Sequence, residues 1–131
     1  MPNRSNFRSE MDMADAMFIS TAGSAFAALG TRGTVVNLDG KAPVRLLIPG
    51  TWASTAVRVR VRVSEDGTTY YPLYDDTGNQ KSIVVSTGRA VALDPVEFAG
   101  VTYLQLRGTQ ATGTAAAQSA ACRITVIARL V

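Results

Sequence analysis

Between residues 57 and 63 the chain reads Val-Arg-Val-Arg-Val-Arg-Val, a strict two-residue alternation of branched apolar and cationic side chains. In extended backbone successive side chains point to opposite faces. Val57, Val59, Val61 and Val63 therefore share one side, and Arg58, Arg60 and Arg62 share the other. Valine also packs well on a pleated surface. The run predicts a strand with one face for a core and one basic face that is wet or partnered. Any fold of this chain has to accommodate that division.

The same period recurs downstream. Strands are expected at about 33–38, 43–48, 56–63, 68–73, 81–85, 89–93, 101–107 and 121–131. Turn signals separate them: Asp39-Gly40, Asp66-Gly67, Asp76 to Asn79, and Thr87-Gly88. Glycine supplies the positive φ that tight turns need, and Asp-Gly between alternating runs is a hairpin signal. In the closing run Cys122, Ile124, Val126 and Leu130 oppose Arg123, Thr125 and Arg129. No strand alternates with a helix, so a parallel α/β sheet is disfavoured. The pattern predicts an all-β, antiparallel β-sandwich, jelly-roll-like, of about eight strands. Trp52, the one tryptophan, is assigned to its rim or core as a packing anchor.

Residues 1–32 read differently, as an extended or partly helical N-terminal arm, leaving 33–131 as the sandwich domain. Met13, Ala16 and Met17 fall at helical spacing, but Thr21 to Gly23 end such a helix early, and so short a helix is marginal alone. The segment 108–120, thirteen small and uncharged residues, reads as a flexible loop or a contact with a partner surface.

A chain of 131 residues is one domain's length, and its 47% hydrophobic content suffices for a packed core. Cys122 is the only cysteine, so no intrachain disulfide forms, and it reads as a small buried residue rather than a nucleophile. No apolar run reaches the length of a membrane span, and Glu10, Asp12 and Asp15 interrupt what a cleavable leader would need.

The chain has no histidine, which removes the commonest general base and zinc ligand together. The Gly30–Gly33 stretch lacks the lysine and spacing of a phosphate loop. The acids Glu65, Asp66, Asp75, Asp76, Asp94 and Glu97 lie mostly in turns, where Asp bonds local backbone. A calcium site at 75–79 would lack the full spaced-ligand pattern. No catalytic residue, cofactor site or metal site is expected, and the chain is read as not an enzyme.

Net charge is +3, modest for a nucleic-acid binder. Single-strand binders interleave aromatics with their cations for base stacking, whereas Arg58, Arg60 and Arg62 are interleaved with valine. Like charges so close repel, so acids are expected opposite them, across the sheet or on another subunit. Eleven of the thirteen cationic residues are arginine, which suits protein interfaces.

From residue 48 onward a series of motifs appears in order. Ile48 to Trp52 precede the arginine strand. Ser64, Asp66 and Gly67 follow it, then Pro72, Leu73, Asp75 and Gly78. Next come Leu93, Pro95, Phe98 and Gly100, and finally Gln118, Ala120 and Arg123 lead into the last strand. In this order and spacing the chain resembles small tailed-bacteriophage virion structural proteins over about two-thirds of its length. That resemblance implies a β-sandwich that decorates or cements the capsid, or serves as a neck or tail component. It implies a location in the virion, assembled in the host cytoplasm, with the major capsid protein or other virion proteins as partners.

On this reading the arm carries the attachment residues Met11, Met13, Met17, Phe18 and Phe26, which gain order on the shell. The interface also takes Arg58, Arg60 and Arg62. Copies are expected to associate as a homo-oligomer, with a trimer favoured. The competing reading is a carbohydrate-binding β-sandwich, for which Trp52, Tyr70, Tyr71, Tyr74 and Tyr103 are the aromatic supply.

Overall fold

A computed structural model describes residues 19–130. Within the described residues nine strands form two antiparallel sheets. They are β1 (Ile19–Phe26), β2 (Val36–Asn37), β3 (Ala42–Leu47), β4 (Arg58–Ser64), β5 (Tyr71–Pro72), β6 (Ser82–Val84), β7 (Ala90–Ala92), β8 (Tyr103–Thr109) and β9 (Cys122–Arg129). One sheet runs β1-β9-β3-β7. In the other, of order β2-β8-β4-β5, β6 also pairs with β4. Because β8 covers one edge of β4 from Arg58 to Ser64, β5 and β6 share the opposite edge end to end.

The pairs β1–β9, β2–β8, β3–β7 and β4 with β5 and β6 describe one long antiparallel ribbon rolled into two layers. That is the jelly-roll arrangement. The eight expected strands all have counterparts: β3 and β8 keep their expected lengths, shifted by one and two residues, and the others are shorter than expected. Asp39-Gly40 is a tight turn in which both residues have positive φ, 52° and 76°. It carries the chain from one sheet to the other rather than closing a hairpin, whereas Asp66-Gly67 does lie between the paired strands β4 and β5.

The expected boundary at residue 33 is corrected. β1 pairs with β9 at eight successive positions, so the sandwich already includes residues 19–26. Its run, Ile-Ser-Thr-Ala-Gly-Ser-Ala-Phe, lacks apolar–polar contrast because small residues suffice there. The Arg123 side chain from β9 lies across Gly23, filling the space where a Cβ would stand. The expected interface residue Phe26 is a second correction. It is 1% exposed, and its ring meets Trp52 edge-on, centroids 5.0 Å apart at 89°. Such a pair adds about 0.5–1.5 kcal/mol beyond area burial. Trp52 is the packing anchor expected of it, with its Nε1 donating to the Ala56 carbonyl at 2.8 Å. Met11, Met13, Met17 and Phe18 lie outside the described residues.

The core fills the gap between the sheets with Leu46, Val59, Val61, Leu104, Leu106, Ile124 and Val126, all essentially buried. Val57, expected on the core side with the other valines, precedes β4 and is 39% exposed. The segment 108–120 is held in place rather than free. The Ala116 amide donates to Gly108, and Leu29 and Gln118 exchange backbone bonds with one another's neighbourhood: Leu29 N to Gln118 O and Gln118 N to Gly30 O. Gln118 is fully buried, and its Oε1 accepts from the Ala53 amide at 2.8 Å. One residue, through its main chain and its side chain, thus ties three loops together. Among the described residues no helix is long and apolar enough to cross a membrane.

Candidate functional site: an arginine-bearing sheet face

The alternation of β4 works as the sequence indicates. Val59 and Val61 turn inward, and Arg58, Arg60 and Arg62 emerge on the outer face of the sheet, each half-buried. Pairing register then sets their neighbours. On β8, Arg60 stands opposite Arg107 and Arg62 opposite Gln105. On the other edge, Arg58 faces Val84, Arg60 faces Ser82 and Arg62 faces Pro72. Beyond β8, Arg32 is bridged to Arg107. Five guanidinium groups thereby collect on one face.

What holds them is neutral. Arg60 Nη1 donates to Gln80 Oε1 at 2.7 Å, and Arg62 Nε donates to Gln105 Oε1. Arg58 Nη1 reaches Ser82 Oγ at 3.5 Å, a weak contact. The Arg62 guanidinium lies 4.7 Å from the Tyr70 ring centroid, a cation–π arrangement. Gln105 in turn donates through Nε2 to the Gly33 carbonyl at 2.9 Å, which fixes its acceptor toward Arg62. The turn at Gly113 closes over Arg60: φ there is +92°, and an added Cβ would sit 2.5 Å from Arg60 Nη2. Arg60 Nε is buried without a hydrogen-bond partner.

Among the described residues, the acids expected across the sheet from the arginines are not there. The ion pairs among the described residues are Lys41–Asp39, at 3.9 Å, and Lys81–Glu97, and neither involves an arginine. Burial, followed by the nearby Arg32 charge, lowers the affinity of Arg62 for its proton below the usual arginine range. A depression of about 70 Å³ opens between Arg32, Arg60, Arg62, Gln80, Gln105 and Arg107.

The acids are occupied locally instead. Asp66 Oδ1 accepts from Ser64 Oγ and from the amides of Thr68 and Thr69. These bonds hold its carboxyl far below the usual carboxylate range. Asp75 Oδ1 accepts from the Thr77 hydroxyl and from the Thr77 and Asn79 amides, which lowers its pKa in the same way. Asp94 caps the short 3₁₀ turn Pro95–Phe98 through the Val96 amide. Each is serving its own turn. Cys122 Sγ points at Gln118 Oε1, 3.5 Å away, and burial pushes its thiol pKa up, which makes it a poor nucleophile.

Of the sequence-derived site residues, the structure brings together Arg58, Arg60 and Arg62 and places Phe26 in the core. Sequence reasoning missed Arg32 and Arg107. The signal for Arg107 is the alternation Tyr103, Gln105, Arg107 against Leu104 and Leu106. Its juxtaposition with Arg60 depends on register, which the sequence does not carry. Comparison of the chain with protein-family models and with curated proteins finds no match.

Proposed function

We propose that this chain is a structural subunit of a tailed-bacteriophage virion, a capsid decoration or cement protein that works through protein–protein contacts and has no catalytic role. The observation that carries the proposal is the arginine face: five guanidinium groups, three of them held by neutral acceptors, with no carboxylate among the described residues in ion-pair range. Arginine is the side chain best suited to interface ion pairing, and a row of them without internal counter-charge is suited to acids on a neighbour. The ordered motifs from Ile48 to Arg123 supply the virion assignment. Jelly rolls recur in viral shells and in lectins alike, so the fold adds an analogy and no more. On this reading the copies form a closed trimer that binds the major capsid protein, and a neck or tail position is the alternative location.

A carbohydrate-binding role draws support from Tyr71 and Tyr74, 65% and 56% exposed. It loses Trp52 to the core and Tyr70 to the contact with Arg62. The test is quantitative mass spectrometry of gradient-purified particles from the source culture, with light scattering of the purified chain. Stoichiometric presence in particles and a trimeric mass support the reading. Absence from particles overturns it.

A further inference from the structure

We infer that Arg32, Arg107 and Arg60 form a transverse clamp for carboxylate groups, and that it takes the acidic side chains of a partner protein; this deepens the proposed interface reading and rests on it. The three arginines occupy directly opposed positions on adjoining chain segments: Arg32 is bridged to Arg107, and Arg107 is in register with Arg60. Neighbouring strands lie about 4.8 Å apart, so the row spans roughly 10 Å across the sheet. It crosses the strands, whereas the row visible in the sequence runs along one of them.

Like charges in directly opposed positions cost stability, and a fold normally separates or neutralises them. Here no carboxylate among the described residues does so. Among the described residues the side chains of Arg32 and Arg107 have neither an ion-pair nor a hydrogen-bond partner. Arg60 is fixed by Gln80 and by the Gly113 turn, which gives the clamp one rigid wall. Arg32 and Arg107 complete the rim of the depression beside it. Planar guanidinium groups lining a small recess match the fork geometry of a carboxylate, which accepts two parallel N–H bonds.

Three observations favour protein carboxylates over nucleic-acid phosphates. Among the aromatic rings on this face, Tyr70 already has Arg62 over it and Tyr103 is half-buried against Gly67, which leaves little free stacking surface. Val84, 64% exposed, and the exposed Pro72 stand on the same face opposite Arg58 and Arg62, a mixture of apolar and arginine side chains typical of protein interfaces. The net charge of +3 is modest for a nucleic-acid binder.

The experiment is fluorescence anisotropy on the full chain, with three probes: a labelled oligoglutamate peptide, a labelled oligothymidylate, and inorganic phosphate as competitor. The double variant Arg32→Gln/Arg107→Gln is compared with Arg45→Gln/Arg129→Gln, which removes two exposed arginines of the other sheet. The clamp requires that the peptide bind the wild type, that the first variant weaken it about tenfold or more, and that the second leave it within about twofold. Thermal melts establish that both variants are folded. Equal losses in the two variants, no peptide binding at millimolar concentration, or tighter clamp-dependent binding of oligothymidylate would each overturn the inference. Detection of the chain in particles is measured separately. A chain present on particles but blind to glutamate sinks the clamp alone, and a glutamate-binding chain absent from particles sinks the virion reading alone.

Discussion

Arg60 and Arg107 face each other across two adjacent antiparallel strands, and no carboxylate of the described chain lies within ion-pair distance of either. Their charges repel across a half-buried surface. Replacing Arg107 with Gln keeps a polar side chain and removes one of the two charges. We expect Arg107→Gln to raise stability by a few tenths of a kcal/mol, up to about 1, at low salt. Melting curves at ~0.01 M and ~1 M salt check this, since the gain should shrink as the Debye length falls from about 30 Å to about 3 Å. A loss of stability at low salt would mean that Arg107 is already neutralised within the chain.

Phe26 belongs to the core, so its truncation should behave like a core cavity. Phe26→Ala is expected to cost about 3–5 kcal/mol in urea unfolding. Removing residues 1–28 takes away β1 and the Phe26–Trp52 contact together, and should leave no cooperative unfolding transition. If that truncated chain melts like the full one, β1 contributes nothing to the fold.

The strands were legible wherever a core-facing residue alternates with a polar one, as in Val59/Arg60 and Leu106/Arg107. β1 was illegible because its burial depends on a neighbour: the Arg123 side chain covers Gly23, and Ser24 is buried beside Gly33. Small residues there carry no periodic signal. The arginine strand could be read locally, but the clamp across Arg32, Arg107 and Arg60 arises from register, a long-range property. The Gln118 tie was hidden for a related reason. A run of Ala, Thr, Gly and Gln looks unstructured until a distant amide, that of Ala53, meets its side chain.

Gln118→Ala leaves the Ala53 amide without its acceptor in a closed site. A loss of about 1–3 kcal/mol is expected, the cost of an unpaired buried group. Hydrogen exchange offers the sharper readout, because Leu29 and Ala53 amides should lose protection together. Independent behaviour of the two amides would show that Gln118 does not couple the loops.

The Asp66 carboxylate is stabilised in its charged form by three hydrogen bonds, so its folded pKa lies below its unfolded one. The stability that it contributes is therefore present above the unfolded value, near 4, and is lost as pH falls through the folded value. Asp66→Asn should lower the melting temperature at neutral pH. The difference from wild type should narrow steadily as the solution is acidified below about pH 4. A difference independent of pH would place the effect in the turn geometry and not in the charge.

The proposed role requires that the guanidinium-bearing sheet face meet acidic groups of neighbouring subunits. A cryo-electron microscopy reconstruction of particles carrying this chain tests it directly. The account predicts that Arg32, Arg58, Arg60, Arg62 and Arg107 are turned toward an adjoining subunit, with its carboxylates within hydrogen-bond reach. A map in which that face looks out to solvent, while the sandwich attaches by its other sheet, would contradict it.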